Sequence, residues 1–119
     1  MRTVLIADDS AFMRKWIKRL VEKSDYTVIG EAINGLDAVK QYQRLRPNIV
    51  ILDIVMPKSN GLDALAKIME LNPNANVIIS SSLATRDNVT RAIQLGAKDF
   101  IIKPHFQGLV NILNKIDDE

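Results

Sequence analysis

Thr3-Val4-Leu5-Ile6-Ala7-Asp8-Asp9 and Ile49-Val50-Ile51-Leu52-Asp53 are the two stretches whose reading decides the fold. Both are unbroken apolar runs, rich in β-branched residues, that end abruptly in carboxylates. An amphipathic strand alternates polar and apolar positions, whereas an unbroken run marks a strand buried on both faces, as in a parallel sheet. Phe100-Ile101-Ile102 is a third run of this kind and ends in Lys103-Pro104. In a parallel α/β sheet the C-terminal ends of the strands share one edge, where ligands bind. Asp8, Asp9, Asp53 and Lys103 are therefore expected to meet.

Working outward, Val4–Ala7, Thr27–Ile29, Ile49–Leu52, Val77–Ile79 and Phe100–Ile102 are predicted strands. Between and after them, apolar residues recur at helical spacing: Phe12, Trp16, Ile17, Leu20, Val21; Ala38, Val39, Tyr42, Leu45; Leu62, Leu65, Ile68, Met69; Val89, Ala92, Ile93; and Leu109, Ile112, Leu113, Ile116. Pro47 and Pro73 follow the second and third helices, and Gly96 closes the fourth. The pattern is (βα)5 in one domain over 1–119, without linker or repeat. Right-handed crossovers place helices on both faces of one doubly wound parallel sheet.

Composition narrows the function classes. The chain has 119 residues, 47% hydrophobic and 25% charged, as in a globular domain with a single core. It contains no cysteine, which excludes disulfides, thiolate catalysis and Cys-ligated zinc and fits a reducing cytoplasm. No apolar run approaches a membrane span and the N-terminus has no signal-peptide pattern, so no membrane association is expected. A net charge of +2 gives no argument for nucleic acid, and Arg14, Lys15, Lys18, Arg19 and Lys23 read as the solvated face of one helix.

Each site residue has a bland reading. Asp9 or Ser10 suits a helix cap, Asp53 a loop start, Lys103-Pro104 a solvated turn, and Ser80-Ser81-Ser82 a polar turn. His105 reads as a solvated loop residue, and Trp16 and the methionines as packing. The combination is harder to dismiss, because each residue falls at the end of its own strand. Two carboxylates 4 Å apart repel by about 4 kcal/mol at an effective dielectric of about 20. Three together call for a cation, and oxygen-only ligands suit Mg²⁺. A carboxylate-held metal beside a lysine is a site for a phosphoryl group.

The order Asp8-Asp9, Asp53, Ser81, Lys103-Pro104 resembles that of two-component response-regulator receiver domains. Met56-Pro57, Gly61 and Gly96-Ala97 extend the resemblance over nearly the whole chain, and Asp8 to Arg14 is most similar to chemotaxis regulators of the CheY type. The resemblance implies a flavodoxin-like, CheY-like fold with strand order 2-1-3-4-5. It implies that Asp53 accepts a phosphoryl group from a sensor histidine kinase, CheA-like in this type. Asp9, Asp53 and the Val55 backbone carbonyl would ligate Mg²⁺, with Asp8 acting through water. Lys103 and Ser81 would contact phosphoryl oxygens, and Lys103-Pro104 would be a cis peptide.

Ser81 and Phe100 would form the switch, with Phe100 lacking the hydroxyl of the family's frequent tyrosine. By the same resemblance, Val55 and Leu83 would flank the position of the hydrolytic water and tune the phosphate lifetime; being apolar, they imply slow autodephosphorylation and a dedicated phosphatase partner. Pro104 is followed by His105 and Phe106, where many receivers have phenylalanine directly. The implied protein is a cytoplasmic monomer and a phosphoacceptor rather than a turnover enzyme. Its signal would leave through Arg86–Leu95, Asp99–Lys103 and Gln107–Lys115 to the flagellar motor switch or another output protein.

Three alternatives stand beside this reading. One is a receiver excised from a larger regulator, such as a transcription factor or methylesterase. A haloacid-dehalogenase-type phosphatase needs a second Asp two residues after the nucleophile, where Val55 stands. A nucleotide- or flavin-binding domain needs a glycine-rich first turn, where Asp8-Asp9-Ser10 stands.

Overall fold

The apolar runs become strands of one five-stranded parallel sheet, in a computed structural model that describes residues 2–57 and 60–117. The strands are β1 (Thr3–Ala7), β2 (Thr27–Ala32), β3 (Ile49–Leu52), β4 (Asn76–Ser81) and β5 (Asp99–Ile102). They alternate with α1 (Ala11–Glu22), α2 (Gly35–Leu45), α3 (Gly61–Leu71), α4 (Arg86–Leu95) and α5 (Leu109–Asp117). The strand order is β2-β1-β3-β4-β5, with every pair parallel, as expected. Lys58 and Ser59 lie outside the described residues.

Because both faces of the central strands are covered, successive side chains enter two different cores. Leu5, Ala7, Val50, Leu52, Val77 and Ile79 pack with Tyr42 of α2, Leu65 and Ile68 of α3 and Ala92 of α4. Val4, Ile6, Ile49, Ile51 and Ile78 pack with Ile17 and Val21 of α1 and Leu109, Leu113 and Ile116 of α5. Each fully buried aliphatic side chain contributes about 1.5–3 kcal/mol of transfer free energy.

Helix starts follow their capping residues. Ser10, Asn34, Asn60 and Thr85 each accept a backbone N–H from the first turn of α1, α2, α3 and α4. Gly96 ends α4 at φ +114°, a left-handed conformation that favours glycine, with the end of the flexible Met69 side chain packed beside it.

The structure departs from the sequence reading in several places; besides those that follow, Ile93 on the expected stripe of α4 is 49% exposed, and Ile102 is 50% exposed, so β5 is not buried on both faces. β2 runs on from Ile29 to Ala32, past a register shift opposite Val4/Leu5, because Gly30-Glu31 continues as an edge strand instead of turning. β4 runs through Ser80 and Ser81, whose backbones pair with Ile101 and Ile102 of β5. Phe12 lies on the expected apolar stripe of α1 but is 69% exposed. At about 100° per residue, a stripe from Phe12 to Val21 spans about 180°. One core face does not cover so wide an arc, so Ile17 and Val21 are buried while Phe12 is left outside.

Candidate functional site

The sheet ladder continues beyond three strand ends and fixes the residues that follow. Asp8 N–H donates to Ala32 O (3.0 Å), Asp53 N–H to Ala7 O (2.9 Å) and Lys103 N–H to Ser81 O (3.0 Å). Residues distant in sequence are thus held at one edge by backbone bonds before any side-chain contact is considered. Gly61 closes the floor: its N–H donates to Ile54 O, and a Cβ would lie 2.0 Å from the Asp53 carbonyl oxygen.

Lys103 Nζ donates to Asp8 Oδ2 at 2.6 Å and to Asp53 Oδ2 at 3.0 Å. Asp8 and Asp53 are buried, at 1% and 4% exposure, and Asp9 is exposed. The other oxygens are held locally. Asp53 Oδ1 accepts from Val55 N–H at 3.3 Å, and Asp8 Oδ1 accepts from Ser10 N–H at 2.9 Å. Arg14 donates to the Asp8 carbonyl (2.7 Å) and to Glu31 (3.0 Å), a support for the β1 end that no sequence signal indicated.

Burial pushes the Asp53 carboxyl above the ordinary carboxylate value; Lys103 opposes this, the neighbouring Asp8 charge adds to it, and the Val55 amide opposes it. Burial also disfavours charge on Lys103, but hydrogen bonds and attraction from Asp8 and Asp53 outweigh it and raise that group too. The two directions are unequal in meaning: the ammonium is favoured and the carboxylate disfavoured. For Asp53, burial together with the Asp8 charge outweighs the one shared cation, whereas for Lys103 the two carboxylates outweigh burial. The cluster is short of positive charge.

Asp8, Asp9 and Asp53 each bring a carboxylate oxygen to within 4.8 Å of the others. An all-oxygen, anionic donor set of this kind fits a hard divalent cation such as Mg²⁺. Ser81 is fully buried at the end of β4, and its Oγ accepts from Leu83 N–H at 3.1 Å. Among the described residues, the Ser81 hydroxyl makes no hydrogen bond to Asp53 or Lys103. The hydroxyl proton is not used in the Leu83 bond and remains a donor. Phe100 is half-buried, against the core side that holds α3 and α4. Val55 and Leu83 are half-exposed (50% and 48%), and the Lys103–Pro104 peptide is cis. His105 is exposed.

Comparisons with known proteins agree with this arrangement. Residues 4–114 match the model of the response regulator receiver domain. The chain is 49% identical over 117 residues to the chemotaxis protein CheY of Thermotoga maritima, covering 97% of each. It is 52% identical over 104 residues to CheY of Listeria monocytogenes, covering 87% of each. Among solved structures, the CheX–CheY–BeF3–Mg²⁺ complex of Borrelia burgdorferi superposes with a TM-score of 0.93 at 34% identity, covering 98% of this chain and 89% of that one. Strand order, strand-end residues and relatives converge, and the chain belongs to the response regulator receiver domain family.

Proposed function

We propose that Asp53 takes a phosphoryl group from the phosphohistidine of a sensor kinase, and that the phosphorylated domain carries a chemotaxis signal to an output protein. The observation that supports this best is the buried Asp53 carboxylate, bonded to Lys103 and clustered with two further carboxylates.

An Asp53 carboxylate oxygen attacks phosphorus as the P–N bond breaks, and the bonding electron pair leaves on the imidazole nitrogen. Phosphoryl transfer requires in-line positioning and charge neutralisation more than help from other covalent groups. The backbone ladder does the positioning. Lys103 stays protonated throughout, its charge favoured by Asp8 and Asp53, and pairs with the incoming oxygens. Asp9, Asp53 and the Val55 carbonyl would hold Mg²⁺, which when bound draws charge from the phosphoryl oxygens. Ser81 would turn its O–H toward the phosphoryl group, and the Phe100 side chain on β5 would swing inward as Ser81 moves. The exposed side of α4, β5 and α5 would then present the changed surface.

Acetyl phosphate with Mg²⁺ should add one phosphoryl group, detected by mass spectrometry. Asp53→Asn should remain unmodified. Stable labelling of that variant at another residue would remove Asp53 from the acceptor role.

A further inference from the structure

Ser80 is fully buried, and among the described residues its hydroxyl has no hydrogen-bond partner. Burying a hydroxyl without a partner is unfavourable, which points to a partner in another state of the protein. Side chains alternate between the two faces along a strand. Ile78 packs against α1 and α5 while Ile79 packs on the opposite face, so Ser80 returns to the α1/α5 face. Ile51 and Ile101 also lie on that face, which puts Asp53 and Lys103, two residues further along their strands, on it as well. The register pairs Leu52 with Ile79, so the next step sets Asp53 beside Ser80. On its other flank Ser80 pairs with Ile101. Lys103 extends from the end of β5, yet its ammonium bonds Asp53 beyond β3 and Asp8 beyond β1. β4 stands between β5 and β3, so the lysine side chain crosses β4. Ser80 is the last buried residue of β4 on the face it crosses.

We propose that Ser80 is a positioning residue of the acceptor site, whose hydroxyl accepts an N–H of Lys103 when the ammonium turns from Asp53 to the phosphoryl oxygens. The inference rests on Asp53 as the phosphoacceptor. The ammonium has three donors, and Asp8 and Asp53 engage two of them. Once the Asp53 carboxylate becomes an acyl phosphate, its own oxygens lose charge and accept more weakly. Lys103 then keeps Asp8, gains a phosphoryl oxygen and needs a third acceptor to fix its direction. Ser80 Oγ, beside Asp53 on the strand that Lys103 crosses, is an acceptor without a claim on it among the described residues. No proton or covalent bond is exchanged with Ser80; it acts through the orientation of the cation. Ser81 does not fill this role, because alternation places it on the other face, where its Oγ accepts from Leu83 N–H.

The test uses the full chain with acetyl phosphate and Mg²⁺ and follows phospho-Asp53 by mass spectrometry. Threonine and valine have the same shape and differ in the hydroxyl, so they separate hydrogen bonding from packing. At saturating acetyl phosphate, Ser80→Val should be labelled about tenfold more slowly than Ser80→Thr, the scale of a hydrogen bond to a charged group. Ser80→Ala should be slowed as Ser80→Val is. Mg²⁺ affinity, measured by calorimetry, should be the same in these three variants. In a Lys103→Met background the difference between threonine and valine should vanish, since the hydroxyl acts only through the ammonium. Equal rates for the two, a difference that persists without Lys103, or a parallel loss of Mg²⁺ affinity would overturn the proposal while leaving Asp53 as acceptor. Absence of label on Asp53 in the unsubstituted protein would overturn the acceptor reading, and the role of Ser80 with it.

Discussion

Lys103 stands between two buried carboxylates, with 9% of its own side chain exposed. Removing one partner of such a cluster leaves charge stranded away from water, which costs about 3–5 kcal/mol. Lys103→Met should therefore lower the stability of the metal-free protein by about 3 kcal/mol in urea unfolding, and Mg²⁺ should restore part of the loss. Asp53→Asn should act in the opposite sense, because it removes a disfavoured charge and leaves Lys103 paired with Asp8. The pH dependence follows from the same directions. The folded Asp53 carboxyl titrates above its ordinary value of 3.8, so the folded state holds this proton more tightly and stability falls as pH rises from 3.8 through the folded value. The Lys103 contribution is fully present below 10.5 and is lost as pH rises through its higher folded value. In urea unfolding at stepped pH, the acid-side fall should vanish in Asp53→Asn. Val55 and Leu83 are half-exposed, and their apolar side chains offer no group to orient or deprotonate water. Positioned polar side chains are worth on the order of 10²-fold where they act. Val55→Asn/Leu83→Glu should shorten the lifetime of phospho-Asp53 by tenfold or more on this scale; unchanged decay would show that these positions do not govern it.

At the scale of elements, β1 and β3 and the carboxylates at their ends were legible because unbroken burial writes an unbroken apolar run. The end of β4 was not, since Ser80 and Ser81 are turn formers by local preference and strand residues through pairing with β5. The edge strand β2 hid its last residues behind Gly30-Glu31 for the same reason. Phe12 was assigned to the core because periodicity gives the width of a stripe and not which part of it the sheet will cover. Gly61 was legible as a motif, but its cause lies in the packing of α3. The first turn of that helix rests on the backbone of the Asp53–Ile54 segment, with room for hydrogen only. Gly61→Ala should push α3 from the sheet edge, costing about 1–3 kcal/mol in chemical denaturation and slowing acetyl-phosphate labelling more than a substitution at exposed Asn60. Normal labelling with normal stability would show that α3 yields without cost.

Across the whole molecule, the site is an extension of the sheet ladder, and its parts come from opposite ends of the sequence. The carboxylates are supplied by residues 8, 9 and 53, and the lysine that bridges two of them stands 50 residues beyond Asp53. Synthesis proceeds from the N-terminus at about 5–20 residues per second. The nascent chain therefore holds the acidic residues for a few seconds before the neutralising one has been made. β1 and β3, adjacent in the sheet, would bring Asp8 and Asp53 together in that interval with no ammonium between them. Repulsion between these carboxylates opposes early pairing of the two strand ends unless a divalent cation occupies the cluster, and β5, the last strand in the chain, supplies the protein's own counter-charge.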